Sequence, residues 1–283
     1  MKPLAIITLI LLPALAFGQH DERNWKYEDR ESISRSFDVS SGSTAKKLLV
    51  DNRNGFIHVN GYAGNSVQVT VQKHIRAESN EAMAEAKRDV TLDMSQQGNL
   101  VRIYEDGPFR NHSRGDRYYG YHVDFEFEIQ VPSDTELNIK GFNQEIQVRK
   151  VAGDFDIHGF NGGVDLEDVS GSGTVQTFNG KVKVAFSKNP ARETHFKTFN
   201  GSVDVYFQPT LDADLHFKTF HGAIFTDFEV TALASRSAGG ENRNGKFVYR
   251  SSDRMTAGRT GKGGPELSFD TFNGSIRLHS KAL

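Results

Sequence analysis

Apolar and polar positions alternate along most of the chain, and the alternation recurs at fixed offsets from a short Phe-Asn-Gly motif. Counting five and three residues back and four and six residues forward from each motif phenylalanine, 21 of the 24 positions are apolar. Such a period-two pattern predicts two short strands per repeat, each with one buried face. The motif phenylalanines are 18, 18, 21, 21 and 52 residues apart, and they are Phe142, Phe160, Phe178, Phe199, Phe220 and Phe272.

Two short strands cannot bury an apolar face alone, whereas stacking of successive repeats buries a continuous core. Matching residues recur at one phase, which favours in-register stacking over the rival interpretation, an array of hairpins joined by Asn-Gly turns. The predicted fold is therefore all-β, a β-solenoid of stacked two-strand rungs of about 18–21 residues. We interpret the residue after each phenylalanine as part of a structural turn ladder of hydrogen bonds, formed by Asn143, Asn161, Asn179, Asn200, His221 and Asn273.

The orientation of the motif phenylalanines has two interpretations. Strict alternation from Val175 and Thr177 points Phe178 outward and predicts an exposed aromatic ladder suited to gripping a glycan or a protein. A bend at the preceding Thr or Gly turns the ring inward onto its neighbours. We expect the inward arrangement, because exposed stacked aromatic rings are a liability for a soluble protein.

The chain divides into a signal peptide at 1–18, a lead segment at 19–44 and a single solenoid domain at 45–283. An early rung is predicted at Leu48 to Val59, with Arg53 where the later repeats have phenylalanine. A helix-bearing insertion is expected near 72–122 and an irregular insertion near 231–264. The helix is predicted from Asn80 to Asp89, with Ser79 or Asn80 as its N-cap and with Ala82, Met83 and Ala86 on its buried side.

Residues 1–18 have the pattern of a secretory signal peptide. Lys2 gives a positive end, Leu4 to Leu15 is almost uninterrupted apolar sequence, and Ala16-Phe17-Gly18 places small residues where a signal peptidase cuts. We expect cleavage before Gln19; the alternative is an N-terminal membrane anchor. No later segment is apolar enough to cross a bilayer, so we expect an exported protein that is periplasmic, at the outer surface or secreted.

The composition excludes some chemistry. The chain of 283 residues has no cysteine, which excludes disulfides, thiolate nucleophiles and iron–sulfur clusters. Its formal net charge of −2 gives no reason to expect nucleic acid as a partner. Most enzyme motifs are absent, and Ser43-Thr-Ala-Lys46 matches SxxK without its partner motifs. We therefore expect no enzyme and no cofactor.

Two histidines and the outward carboxylates are the remaining chemical candidates. His195 and His216 occupy the same outward position in successive repeats, so in-register stacking places their rings about 5 Å apart. Without a nearby carboxylate we interpret them as solvated surface residues and expect no metal. The outward columns alternate in charge, as in Asp165, Lys183 and Asp204, which builds no acid–base pair of the kind that a polysaccharide lyase or hydrolase needs.

Residues 106–121 are rich in arginine and tyrosine. They form either a binding loop for sugar or phosphate or a mobile connector, and we expect the connector. The candidate binding residues are Arg110, Arg114, Arg117, Tyr118, Tyr119 and Tyr121.

The order of these features resembles the bacterial putative-adhesin family, over roughly residues 45–283. The resemblance rests on the signal peptide, the early Asn-Gly rung, the helix-bearing insertion, the stretch Val131 to Leu137 and the serial Thr-Phe-Asn-Gly repeats. It implies an exported β-strand-repeat protein at the cell envelope and brings no catalytic residues. The expected function is a non-enzymatic, adhesin-like binding scaffold that contacts a glycan or an envelope protein. The alternatives are an architectural or regulatory periplasmic protein and a polysaccharide lyase or hydrolase.

Overall fold

The computed structural model describes residues 25–39, 44–110, 118–233, 241–243, 246–248 and 255–281, so the expected signal peptide lies outside the described residues. The strands preceding the Phe-Asn-Gly repeats are β1 (Tyr27–Asp38), β2 (Lys47–Asn54), β3 (Ile57–Tyr62), β4 (Ser66–Ala77), β5 (Thr91–Gln97), β6 (Leu100–Asp106) and β7 (Tyr121–Pro132). A helix, α1 (Asn80–Asp89), and a 3₁₀ turn at Pro108–Arg110 interrupt them.

The repeats supply paired strands. Those of the first four repeats are β8 (Glu136–Asn143), β9 (Ile146–Arg149), β10 (Phe155–Asn161), β11 (Val164–Val169), β12 (Gly173–Asn179), β13 (Val182–Phe186), β14 (Thr194–Asn200) and β15 (Val203–Phe207). The remaining strands are β16 (Ala213–His221), β17 (Ile224–Thr226), β18 (Thr231–Ala232), β19 (Glu241–Arg243), β20 (Lys246–Val248), β21 (Met255–Thr260), β22 (Glu266–Asn273) and β23 (Ile276–Ser280).

The strands form two large mixed sheets, neither of which is closed. The first has ten strands in the order β1-β4-β7-β3-β9-β11-β13-β15-β23-β17. The second has eleven, in the order β18-β21-β16-β22-β14-β12-β10-β8-β2-β6-β5, and β19 and β20 form a two-stranded sheet. The prediction of an all-β fold is confirmed at this level.

Each repeat contributes one strand to each large sheet, and we call such a pair of strands a layer. Neighbouring layers pair in parallel and in register: Val164 lies beside Val182, and Val182 beside Val203. In the other sheet Ile157 lies beside Val175. Residues at equal offsets from the motif therefore form columns along the stack.

The apolar columns of both sheets face a common core. Phe186 of the first sheet meets Phe196 of the second edge to face, with ring centroids 6.1 Å apart. Phe196, Phe269 and Phe217 stack as a buried aromatic column with spacings of 5.1 and 5.3 Å. Because these side chains are almost fully removed from water, each contributes roughly 1.5–3 kcal/mol of hydrophobic stabilisation before the entropy of ordering is subtracted.

The stack begins before the first Phe-Asn-Gly motif. Leu48 lies beside Leu137 and Ile57 beside Ile146, as expected for the early rung. Beyond it, β6 pairs with β2 and β7 with β3, both in parallel, so the segment that follows the helix extends both sheets by a further layer. At this end β4 and β1 continue the first sheet in antiparallel pairing, and β5 continues the second.

The helix forms where the sequence predicts it. Ser79 is the N-cap, and its hydroxyl accepts a hydrogen bond from the Ala82 backbone N–H, 3.1 Å away. Ala82 and Ala86 are buried, and Met83 packs partly buried against the core.

The spatial order of the last repeats differs from their order in the chain. The strands β22 and β23 lie between the fourth repeat and the fifth, so β14 and β16 both pair with β22 rather than with each other. The outer side of β16 is occupied by β21, which runs antiparallel to it. Since that side is taken, the sixth repeat occupies the inner one.

Candidate binding surface

The motif phenylalanines form one continuous stack on the outer surface of the second sheet. From one end to the other the rings follow the order Phe142, Phe160, Phe178, Phe199, Phe272 and Phe220, and we call this stack the aromatic strip. Neighbouring ring centroids lie 4.5–5.1 Å apart, and the ring planes differ by only 1–8°. The rings therefore face one another, and their edges point to solvent.

The expected inward orientation is wrong. Phe178 is 41% exposed and Phe220 is 69% exposed, and only Phe142 is half-buried. Strict alternation holds through the motif because the residue before each phenylalanine, glycine in the first two repeats and threonine in the other four, keeps its inward position. The exposure is tolerated because each ring covers the faces of its neighbours, leaving mainly ring edges in water.

The asparagine ladder beside the strip fixes the spacing of the rings. Each asparagine side-chain amide donates to the Oδ1 atom of the asparagine in the preceding layer, over 2.8–3.1 Å, beginning at Asn54. At the far end His221 Nδ1 lies 3.1 Å from Asn273 Oδ1. Backbone hydrogen bonds between the turns lie alongside this ladder; for example, the Gly180 N–H donates to the Asn200 carbonyl.

The threonine and glycine of the motif join adjacent turns. The buried Thr198 hydroxyl donates to the Gly180 carbonyl over 2.8 Å, and Thr177 and Thr271 make the same contact to Gly162 and Gly201. Consecutive turns approach so closely that a Cβ atom at Gly180 would lie 2.2 Å from the Gly162 oxygen. Glycine is therefore required here by the approach of one layer to the next.

Arg53 covers the Phe142 end of the strip. Its guanidinium lies over the Phe142 ring, 4.7 Å from the centroid, and 5.1 Å from that of Phe109. A cation over an aromatic face is favourable because the face carries the negative part of the ring quadrupole. The arginine that replaces phenylalanine in the early layer thus continues the stack by a cation–π contact.

A buried carboxyl group lies beneath this end. Glu105 is fully buried, and it accepts a hydrogen bond from the Arg53 backbone N–H. Burial raises the pKa of Glu105 to about 7, although the Arg53 N–H and the nearby Arg110 guanidinium act in the opposite direction.

A recess of about 420 Å³ opens beside the covered end of the strip. Arg110 on its wall is paired with Asp51, 2.8 Å away, and His158 with Asp156, 2.6 Å away. Within the described part of the chain, no carboxylate lies at ion-pair distance from Arg53 or Lys140. The recess is lined by Asp51, Asn52, Arg53, Arg110, Lys140, Gly141, Phe142, Asp156, His158, Gly159 and Phe160.

The arginine- and tyrosine-rich segment is only partly described, since Arg114 and Arg117 lie outside the described residues. Arg110 turns back to Asp51 and to the Tyr104 ring. Tyr118 is exposed and donates to Glu78. Tyr121 begins β7, its ring lies 5.5 Å from that of Tyr119, and burial raises its pKa to about 12.

The expected proximity of His195 and His216 is wrong. Both align with Ser268, which lies between them, because the sixth repeat separates the fourth from the fifth. Each approaches a glutamate instead: His195 Nε2 lies 3.1 Å from Glu193, and His216 Nε2 lies 3.7 Å from Glu266. Among the described residues, no group of three or more histidine, aspartate or glutamate side chains is placed to hold a metal ion.

The outward charges pair along the columns. Lys183 lies beside both Asp165 and Asp204, and its amine contacts Asp165 at 3.0 Å. Lys181 contacts Asp204 at 3.0 Å. Although burial alone acts to raise the pKa of Asp204, hydrogen bonds from Ser202 and Lys181 outweigh it and lower that pKa.

Comparison with known proteins gives structural similarity only. No protein-family model matches the chain, and no curated protein matches it. A solved structure described as a putative cell adhesion protein from Clostridium sporogenes is 12% identical with a TM-score of 0.38, covering 89% of this chain and 100% of that one. A putative adhesin from Bacteroides fragilis is 12% identical with a TM-score of 0.40, covering 88% and 97%.

A third solved structure, a putative lipid binding protein from Parabacteroides distasonis, is 12% identical with a TM-score of 0.22, covering 88% of this chain and 95% of that one. Two of these three solved structures are named as adhesion proteins or adhesins. At these identities and TM-scores the comparison assigns no role to this chain. In the described residues, no helix is long and apolar enough to span a membrane.

Proposed function

We propose that this protein is an exported, non-enzymatic binding scaffold of the cell envelope or cell surface, with an adhesin-like role, and that the aromatic strip is its binding surface. The observation that carries the proposal is the exposure of five phenylalanine rings in one unbroken row. A large exposed apolar row is uncommon on a soluble protein unless it contacts a partner.

We also propose that the stacked layers constitute a β-solenoid. In-register parallel pairing of one strand per layer in each of two sheets supports this description. Such a stack suits a scaffold, because each layer contacts only its neighbours and the outer surface extends with every added layer.

The pairing of charges supports a non-enzymatic role. General acid catalysis by a carboxyl group needs a raised pKa and access to the substrate. Asp204 has a lowered pKa and is held by Lys181. Glu105 has a raised pKa but is fully buried.

The test is binding of the purified mature protein to isolated cell envelopes. The variant Phe178→Ser/Phe199→Ser removes two adjacent rings, and we expect envelope binding to fall at least roughly tenfold, equivalent to about 1.4 kcal/mol. Phe225→Ser is the matched control, because Phe225 is an exposed phenylalanine outside the strip. Equal binding by all three proteins would show that the strip is not the binding surface.

Export is tested separately by protease treatment of intact cells. Digestion of the protein in intact cells is expected for a surface location, and digestion only after the outer membrane is opened for a periplasmic one. Protection in both samples, together with an uncleaved N-terminus, would contradict export.

A further inference from the structure

We propose that the aromatic strip binds an anionic amphiphile, with its acyl chain along the ring edges and its carboxylate or phosphate head group in the recess beside Arg53 and Lys140. This inference rests on the proposed function, since it names the ligand class of the same surface.

Sugars and acyl chains make different demands on aromatic rings. A sugar ring stacks its apolar side on an aromatic face, but the faces between rings of the strip are taken by neighbouring rings at 4.5–5.1 Å, and among the described residues the outer face of Phe220 alone has no stacked group. The Arg53 guanidinium lies over Phe142 at the covered end. What remains along the strip is a row of ring edges, which provides apolar contact to a narrow chain without requiring a free face.

The strip is narrow enough and long enough for a single extended acyl chain. It is one ring wide and runs over five steps of 4.5–5.1 Å. That length exceeds the roughly 15 Å depth of one leaflet of a bilayer's hydrocarbon core. The asparagine ladder lies along one side, and its amides are engaged in hydrogen bonds with one another. The acyl chain is thereby bordered by polar groups on that side of the strip.

The positive charge at the Phe142 end of the strip indicates that the anionic head group binds there. Asp51 and Asp156 in the recess are already paired with Arg110 and His158. Arg53 and Lys140 are therefore the two cations in the described recess that remain available to an anion. Ring edges carry the positive part of the aromatic quadrupole, so they also favour an anionic over a cationic head group. Phosphates and carboxylates are the groups that arginine binds best.

The experiment is calorimetric titration of the mature protein with dodecanoate below its micelle concentration, beside dodecan-1-ol and acetate. We expect dodecanoate to bind with one site, dodecan-1-ol to bind at least roughly tenfold more weakly, and acetate to give no saturable signal. Arg53→Gln/Lys140→Gln should weaken dodecanoate binding at least roughly tenfold and leave the affinity for dodecan-1-ol unchanged.

Two further variants distinguish the contribution of the acyl chain to binding from that of the head group. Phe178→Ser/Phe199→Ser should weaken the binding of dodecanoate and of dodecan-1-ol together, whereas Lys188→Gln, which removes an exposed cation that does not line the recess, should change neither. Thermal melts confirm that each variant is folded. Co-sedimentation with phosphatidylglycerol vesicles distinguishes a membrane-held head group from a free amphiphile: binding to vesicles as well as to dodecanoate assigns the lipid source.

The outcomes are separable from those of the envelope test. If envelope binding depends on the strip but dodecanoate does not bind, the ligand class is wrong and the binding surface stands. If dodecanoate and dodecan-1-ol bind equally, the head-group assignment is wrong. If the strip variant binds dodecanoate as well as the wild type does, the site itself is wrong.

Discussion

One buried carboxyl group, that of Glu105 at the Phe142 end of the strip, has a raised pKa. Glu105 has almost no exposure, and its Oε1 atom has no hydrogen-bond partner among the described residues. A carboxyl group in that position is more stable protonated than ionised, because an isolated buried charge loses its hydration. Between pH 4.5 and about 7 the folded protein therefore holds a proton that the unfolded chain has already released.

Glu105→Gln should remove a pH dependence of stability. The pKa of Glu105 is raised from 4.5 to about 7, so between these values the folded protein binds a proton that the unfolded chain lacks, and the free energy of unfolding falls as pH rises. From pH 5 to pH 8 we expect the wild type to lose about 2–3 kcal/mol relative to Glu105→Gln. Urea titrations at both values measure this, with Glu193→Gln as an exposed control that keeps the wild-type profile.

Gly180→Ala should be strongly destabilising. The added Cβ atom would lie 2.2 Å from the Gly162 carbonyl oxygen, so one layer must move away from the next. We expect a loss of roughly 2–4 kcal/mol in the free energy of unfolding. Gly163→Ala is the control in the neighbouring turn, because its Cβ would make only an ordinary 3.4 Å contact, to the Lys181 oxygen. Equal losses in the two variants would refute close approach as the reason for glycine at 180.

At the scale of a strand and its turn, adjacent residues of the Thr-Phe-Asn-Gly motif make different contacts with the neighbouring layer. The threonine hydroxyl satisfies a carbonyl of the preceding turn, the phenylalanine stacks, and the asparagine extends the ladder. These contacts run along the stack rather than within a repeat, so each turn is held by its neighbours.

Thr198→Val tests the threonine contact. It replaces the hydroxyl by a methyl group and leaves the Gly180 carbonyl without its side-chain donor in a buried position. We expect a loss of about 1–3 kcal/mol in the free energy of unfolding. Thr198→Ser retains the hydroxyl and should recover most of that stability; if Ser and Val lose equally, the hydrogen bond contributes nothing.

At this scale the sequence predicts positions better than orientations. The offsets of Val182 and Val184 from the motif phenylalanine are enough to predict that they lie in the core. Apolar and polar residues alternate at constant spacing from each motif, and this is compatible with only one register between neighbouring strands. The expected inward orientation of Phe178 rests on the cost of exposing an isolated ring to water. That cost is smaller in a stack, because the faces of neighbouring rings cover one another and exclude water. The sequence of a single repeat does not indicate this stacking.

At the scale of the whole molecule, the order of layers is set by features that the repeat pattern does not encode. Because the Phe-Asn-Gly repeats present nearly the same columns, they do not specify whether the sixth repeat lies between the fourth and the fifth or beyond the fifth. The antiparallel strand β21, which covers β16, decides between them. Its sequence shows no strong alternation, so the insertion of β22 and the separation of His195 from His216 were not predictable.

The most direct test of the account is disulfide formation between pairs of introduced cysteines, which the absence of native cysteine makes unambiguous. His195 and His216 each align with Ser268, so His195→Cys/Ser268→Cys and His216→Cys/Ser268→Cys should cross-link on mild oxidation. His195→Cys/His216→Cys should not, because two strand spacings, about 9.5 Å, exceed the reach of a disulfide. Efficient cross-linking of the third pair together with failure of the first two would contradict the order of layers and the continuity of the aromatic strip.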